Sequence, residues 1–416
     1  MSKTIIEKIM ASHSKEIVKP GAIIWIDIDI RSARDFGGAN VVKNFETEYP
    51  DEKVADSKKT FFTFDCVAPA NNIPYANNQQ ICRIFAQKQG IKVYDVDSGI
   101  GSHIMIEKGL AIPGSIIVGT DSHLNILGCV GAFGQGMGDQ DIAFTFKTGR
   151  TWFEVPETMK ISIKGEFNYP VTAKDLTLCV LKKLGASGAL GKSVEYYGEA
   201  IDNLNLSERI TLASMTTEMG GIIAFITPND EIINYCKKRV NNNNIQKIYA
   251  DSDANYSEKI EINISSLKPL LSAPPSPENV HNVDEFSDEK IDSAFLGSCT
   301  NGRIEDFEIA ATILKGRKVA KNVMFTLVPA TKEVYGELLN KGLLEIFYEA
   351  GAIISHPGCG GCASGQLGMT GQGEVQISTS NRNFAGKQGA GKTYLASPAT
   401  VATSALFGKI TSPERL

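Results

Sequence analysis

Short β-rich apolar runs recur along this chain, each followed by glycine or polar residues, with segments of helical spacing between them. The runs are AIIWIDIDI (22–30), IKVYDV (91–96), SIIVGT (115–120), AFLGSC (294–299), VMFTLVPA (323–330) and GAIISH (351–356). The helical segments include NNQQICRIFAQKQ (77–89), GRIEDFEIAATILKG (302–316) and ATKEVYGELLNKGLLEIFYEAG (330–351). Alternation of this kind predicts mainly parallel sheets covered by helices. In such sheets ligands sit beyond the carboxyl ends of strands. Asp97 to His103, Asp121 to His123 and Cys299 all follow strand-like runs and are the first candidates for a site.

A chain of 416 residues is too long for one ordinary core and suits two or three domains. Hydrophobic content of 42% and charged content of 21% are globular values. The net charge of −5, with no long basic run, offers nothing for nucleic acid or an anionic membrane. The N-terminal MSKTIIEKIMASHSKEIVKPG alternates apolar and charged residues, which predicts an amphipathic helix rather than a signal peptide. No stretch approaches the roughly 20 apolar residues of a membrane helix, and a cytoplasmic protein is expected. The segment 271–289, LSAPPSPENVHNVDEFSDE, is rich in proline and polar residues and reads as a linker. A softer boundary lies near VPET, 155–158.

Eight cysteines in such a protein are thiols or metal ligands more readily than disulfides. Cys359 and Cys362 form a CxxC within HPGCGGCASG. Alone, that motif fits zinc, a redox dithiol, an iron–sulfur cluster or two unliganded thiols. Zinc would want further ligands at similar spacing, and the chain has no second CxxC. The surrounding glycines let the backbone approach a bulky inorganic group and offer it N–H donors. Cys299 ends a strand-like run in GSCTNGRIEDFEIAA, where Thr300-Asn301-Gly302 is expected to open a helix whose N-terminus favours a thiolate. Three cysteines are one fewer than the four that fully ligate a cluster, which would leave one iron open to act as a Lewis acid.

At this point the chain resembles the large subunits of the aconitase superfamily, those of the homoaconitase and 3-isopropylmalate dehydratase type. The resemblance runs through EKIMASH, GLAIPGSIIVGTDSH, GMGDQDIAFTFKTGRTWFEVPETMKI, VEYYG, GSCTNGRIEDFEIAA, PGCGGC and GEVQISTSNRNFAGKQG to YLASPATVATSALFGKI. It implies three α/β domains around a central cluster site, placed here at 1–156, 157–282 and 283–416. It also implies a [4Fe-4S] cluster on Cys299, Cys359 and Cys362, and a hydro-lyase or isomerase reaction. Asp121 and His123, in the DSH motif, would line the pocket and handle protons, with Glu195 of VEYYG pairing with such a histidine. Asn381 and Arg382 would approach the cluster and a substrate carboxylate, which an arginine can clamp in a bidentate way.

The sequence departs from the family pattern at chemically pointed places. The family's Asp-His pair, which helps protonate the departing hydroxyl, reads Asp65-Cys66. A second family histidine is Ser102, with His103 one place late. One step in a strand reverses the face, so His103 takes over only if Gly99 and Gly101 bend the loop toward the pocket. Leu124 replaces a threonine and Lys387 replaces an arginine expected to hold substrate.

The expected function is therefore the large subunit of a hydro-lyase acting on a small hydroxy di- or tricarboxylate, such as isopropylmalate, citramalate, homocitrate or dimethylmalate. The resemblance implies a separate small subunit carrying the swivelling domain, whose serine acts as the carbon-acid base. The competing expectation is a cluster-bearing iron or redox sensor whose acid–base shell has decayed.

Overall fold

The structure is a computed structural model describing residues 2–362 and 367–416. Its architecture is α/β, with mainly parallel sheets. Among the described residues no helix is long and apolar enough to cross a membrane.

The first large sheet has five parallel strands in the spatial order Lys92–Tyr94, Thr60–Thr63, Ile30–Arg34, Ile116–Gly119, Phe133–Gly136. Its earliest strand, Ile30–Arg34, lies in the middle, and the chain winds outward first to one side and then to the other. The order therefore reverses between Ile30–Arg34 and Ile116–Gly119, the kind of switch point where a crevice opens beyond the strand ends. Its inner strands are buried along their length, as expected of a sheet covered on both faces.

A four-stranded parallel sheet follows, in the order Ile223–Ile226, Ser193–Tyr197, Thr158–Lys164, Glu258–Asn263. The third large sheet has seven strands, ordered Val280–Asn282, Leu270–Ser272, Lys392–Ala396, Val375–Ser378, Ser293–Gly297, Met324–Val328, Ile353–Ile354. From Lys392–Ala396 to Ile353–Ile354 its strands are parallel. Again the earliest parallel strand, Ser293–Gly297, is central, and the winding reverses between it and Val375–Ser378.

Three expectations change. AIIWIDIDI is two strands, not one: Ile23–Asp27 pairs antiparallel with Arg150–Glu154, while Ile30–Arg34 enters the five-stranded sheet. Asp29 makes the break, its carboxylate accepting from His13 Nε2 at 2.8 Å and Ile116 N at 2.9 Å. The segment 271–289 is no free linker, because Leu270–Ser272 and Val280–Asn282 form an antiparallel hairpin on the edge of the seven-stranded sheet. The long helix expected over 330–351 is two helices, Lys332–Asn340 and Leu343–Ala350, interrupted at Lys341-Gly342.

Candidate active site

The switch points of the two doubly wound sheets face one cavity of about 400 Å³. From the five-stranded sheet, Arg34 ends its strand, Asp65 and Cys66 follow Thr60–Thr63, and Asp121 to His123 follow Ile116–Gly119. From the seven-stranded sheet, Cys299 follows Ser293–Gly297, Cys359 and Cys362 follow Ile353–Ile354, and Arg382 and Lys387 follow Val375–Ser378. Arg34, Cys66, Asp121, His123, all three expected ligand cysteines, Arg382 and Lys387 line the cavity.

Local backbone geometry aims the thiols. Ser298 is a non-glycine residue at φ 72, a strained conformation that turns the chain out of the strand just before Cys299. The helix after it starts at Ile304, with Asp306 Oδ2 accepting from Arg303 N at 2.9 Å, so its N-terminus serves Asp306 and not Cys299. Gly360, at φ 59, lies so close to Phe295 that a Cβ would meet the ring at 2.7 Å, which explains a glycine inside the CxxC.

These residues fit the cluster that the resemblance implies. Burial raises the thiols of Cys299 and Cys362, and each is pushed further by the neighbouring cysteines. Three thiolates here need a compensating cation to be stable. All three line one cavity with Arg382 and Lys387, so the donor set of three sulfurs suits a thiolate-ligated inorganic group.

Arg34 is the organising cation, and the sequence reading missed it. Its Nε donates to Asp65 Oδ1 at 2.7 Å, Nη1 to Asp121 Oδ1 at 2.9 Å and Nη2 to Cys359 Sγ at 2.8 Å. The strand-like run read from the sequence stops at residue 30, whereas the strand runs on to Arg34, which hid its place at a strand end. Burial raises Asp65 to about 6 against the pull of Arg34, with Asp35 and Asp121 adding to the rise. Burial also pushes Asp121 upward, but Arg34 and His123 more than reverse this and hold it below the usual range. Asp65 itself is fully buried, its Oδ2 accepting from Gly101 N at 2.7 Å.

His123 donates from Nε2 to Glu218 Oε1 at 2.8 Å, and Arg382 Nε donates to both oxygens of Glu218, at 3.0 and 2.9 Å. Burial works against ionisation of Glu218, but the His123 hydrogen bond and the Arg382 guanidinium hold it low. Glu218 is thus the carboxylate partner expected of Glu195. Glu195 instead accepts from Ile5 N at 2.7 Å, Tyr197 Oη at 2.5 Å and Tyr256 Oη at 2.8 Å, within a separate buried cluster. Nothing in SMTTEMGG singled out Glu218 beyond its ordinary loop chemistry.

Two further residues stand behind the wall. Gly99, at φ 102, does bend the loop, but residues Gly101–Glu107 then form a helix that buries His103 completely. His103 Nε2 donates to the Cys299 carbonyl at 2.9 Å, and burial lowers the imidazole to about 3, with Arg303 adding to the effect. It is a neutral prop for the Cys299 turn and not a cavity group. Asn381 also braces Cys299, its Oδ1 accepting from the thiol at 3.5 Å and from Thr300 Oγ1, while its Nδ2 donates to Ser214 Oγ at 2.8 Å.

The loop bearing Arg382 is pinned by Lys174, which is 1% exposed and donates to the carbonyls of Thr379 and Ser380, each at 2.9 Å. Burial lowers this lysine to about 7. The neutral amine has two N–H donors for two carbonyls. Between pH about 7 and 10.5 the unfolded chain binds the proton and the folded chain does not, so this group's contribution to stability rises with pH across that window. Lys174→Met should cost about 1–3 kcal/mol by orphaning those carbonyls. The gap to the parent protein should widen from pH 7 to pH 9 in chemical denaturation. A gap that narrows with rising pH would contradict the assignment.

Comparison with known proteins agrees with this architecture. The profile of the Aconitase family (aconitate hydratase) matches residues 7–290 and 284–408. A probable 3-isopropylmalate dehydratase large subunit from Methanothermobacter thermautotrophicus is 41% identical, covering 100% of both chains. A 3-isopropylmalate dehydratase large subunit from Hydrogenobaculum is 42% identical over 100% of this chain and 99% of its own. The crystal structure of Thermococcus kodakaraensis aconitase X (holo-form) shares the fold, with a TM-score of 0.54 at 15% identity, covering 86% of this chain and 84% of that one. Two doubly wound sheets facing one thiol-lined cavity, together with relatives matched from end to end, establish that the chain belongs to the aconitase family.

Proposed function

We propose that this chain is the large subunit of a two-chain, [4Fe-4S]-dependent hydro-lyase that dehydrates a small hydroxy di- or tricarboxylate of the isopropylmalate class. The observation that carries this reading is the convergence of Cys299, Cys359, Cys362, Arg382 and the His123–Glu218 pair on one cavity. When bound, the cluster supplies a Lewis-acid iron for the substrate's hydroxyl and carboxylate oxygens. Arg382 and Lys387 offer the positive charge that a carboxylate needs on entering a buried cavity. Glu218 holds His123 Nε2, so the proton His123 exchanges with a ligand is the one at Nδ1, 3.4 Å from Ser122 Oγ. Asp121 stays ionised as an acceptor, and Asp65, raised to about 6, carries a proton part of the time near neutrality.

The carbon-acid base is assigned to a separate small subunit, in keeping with relatives named as large subunits. The iron-loaded chain alone should then turn over none of isopropylmalate, citramalate, homocitrate or dimethylmalate at a useful rate, and a cognate small chain should restore dehydration. Robust turnover by the single chain would refute the two-chain reading. Cys66, Ser102 and the buried His103 favour a second reading, a cluster-bearing iron or redox sensor. Full iron loading with no turnover of any substrate in the presence of the small chain would support it.

A further inference from the structure

The cavity lining includes four residues with no part in the chemistry above: Phe36, Cys66, Tyr75 and Ile100. All come from the five-stranded half, and one stitched turn brings them together. Asp35 Oδ1 accepts from Asp65 N at 3.2 Å and Cys66 N at 3.0 Å, and its Oδ2 accepts from Val67 N at 3.2 Å. Gln79 Nε2 donates to the same Oδ2 at 3.2 Å and to the Val67 carbonyl at 2.9 Å. Phe36 follows Asp35 directly, and Tyr75 lies one turn before Gln79 on the same face of the helix Ile73–Gln89. Ile100 precedes Gly101, whose N–H meets Asp65 Oδ2 at 2.7 Å. The result is a wall of two aromatic rings, one branched aliphatic side chain and a thiol, which packs as a small hydrophobe. Phe36 is 70% exposed, an aromatic ring open to solvent on the lining of a cavity.

Charge is distributed the other way. Arg382 and Lys387 come from the seven-stranded half. From the five-stranded half the described lining has Arg34 and His123, and both are engaged, Arg34 by Asp65, Asp121 and Cys359, His123 by Glu218. A carboxylate laid against Phe36 and Tyr75 would lose its water without gaining a cation. An alkyl group would lose nothing there.

The candidate substrates differ at one carbon. Citramalate, the tertiary-alcohol form of isopropylmalate, and homocitrate are malates that carry methyl, isopropyl or carboxyethyl on the hydroxyl-bearing carbon. We propose that Phe36, Cys66, Tyr75 and Ile100 form the subsite for that substituent and select an alkyl branch over a carboxylate-bearing one. The substrate is then a dicarboxylate with an apolar branch and not a tricarboxylate. For its reaction this inference rests on the hydro-lyase reading above, and it narrows the substrate class of that same site. Isopropyl covers more of the wall than methyl, and each methylene in an apolar pocket is worth roughly 10–200-fold in discrimination.

The test uses the cluster-loaded two-chain complex and the deoxy analogues methylsuccinate, isopropylsuccinate and deoxyhomocitrate, which lack the hydroxyl and cannot be dehydrated. Calorimetric titration should rank isopropylsuccinate above methylsuccinate and both above deoxyhomocitrate, with the most negative heat-capacity change for isopropylsuccinate. Phe36→Ala and Tyr75→Ala should each cut the preference for isopropyl over methyl by about 10-fold. Phe36→Arg should shift preference from isopropylsuccinate toward deoxyhomocitrate by supplying the missing cation. The readout is the ratio between ligands, because a disturbed fold weakens all three alike. Turnover of isopropylmalate, citramalate and homocitrate by the same proteins should follow the same ratios. Ratios unchanged in all three variants, or a parent complex that prefers deoxyhomocitrate, would overturn the subsite while leaving the hydro-lyase reading intact. Alkyl-selective binding that the variants relax, with no turnover of any substrate, would instead keep the subsite and sink the hydro-lyase reading.

Discussion

Serine at Cys299, Cys359 or Cys362, one at a time, should abolish iron binding and the broad visible absorbance of anaerobically reconstituted protein. All three sulfurs line one cavity, and Cys299 and Cys359 are 7% and 8% exposed. Cys299 holds one strand-end turn, and Cys359 and Cys362 hold two fixed places on another. The expected loss is the full complement of about four irons per chain. Cys236→Ser and Cys179→Ser are the controls. Cys236 sits in the helix Asp230–Val240 and Cys179 in the helix Ala173–Leu184, and neither sulfur faces the cavity. Both variants should retain full iron content. Stable zinc with no iron after anaerobic reconstitution would overturn the assignment of the three cysteines.

The second large effect concerns the proton path. His123→Ala should slow the chemical step by about 10²–10⁴-fold, the usual worth of a general acid–base group, at unchanged iron content. Glu218→Gln should fall in the same direction, because it removes the carboxylate that orients the ring and also holds Arg382. His103→Ala should behave differently. Its imidazole is neutral and donates to the Cys299 carbonyl, so its loss should loosen cluster retention and leave the rate per bound cluster nearly unchanged. The three variants, assayed with the small chain against isopropylmalate, citramalate, homocitrate and dimethylmalate, separate the roles. Full activity of His123→Ala on every accepted substrate would remove it from the mechanism.

Strand ends were legible in the sequence because a β-rich run followed by glycine has few other meanings, and Asp121, His123 and Cys299 do sit just beyond strands, on the cavity lining. Strand order was not legible. That the earliest parallel strand is central in both doubly wound sheets depends on pairings between distant segments. The hairpin at Leu270–Ser272 and Val280–Asn282 was hidden by its prolines, which an edge pair tolerates. Glu195 was misplaced because its partners come from elsewhere: Ile5, which donates to it, is 190 positions away. Motif matching sees the glutamate, while the fold decides which histidine it can reach. Arg34 shows the converse, since its three partners lie in three different segments.

The reach of Arg34 also bears on the order in which the protein is made. Arg34 Nη2 and Cys359 Sγ are 325 positions apart in the chain. The five-stranded sheet ends at Gly136, so its strands can pair early in synthesis, while Phe146 and Phe225 complete the core around them later. Half of the cavity then waits, with Asp65 and Asp121 already on the guanidinium and one guanidinium nitrogen without its sulfur. The opposite half cannot exist until the strands from Ser293 to Ala396 have paired, a set of long-range contacts that forms slowly. Loading of the proposed cluster therefore has to follow the pairing of those strands. Until those strands pair, Cys299, Cys359 and Cys362 have no shared cavity to bury them.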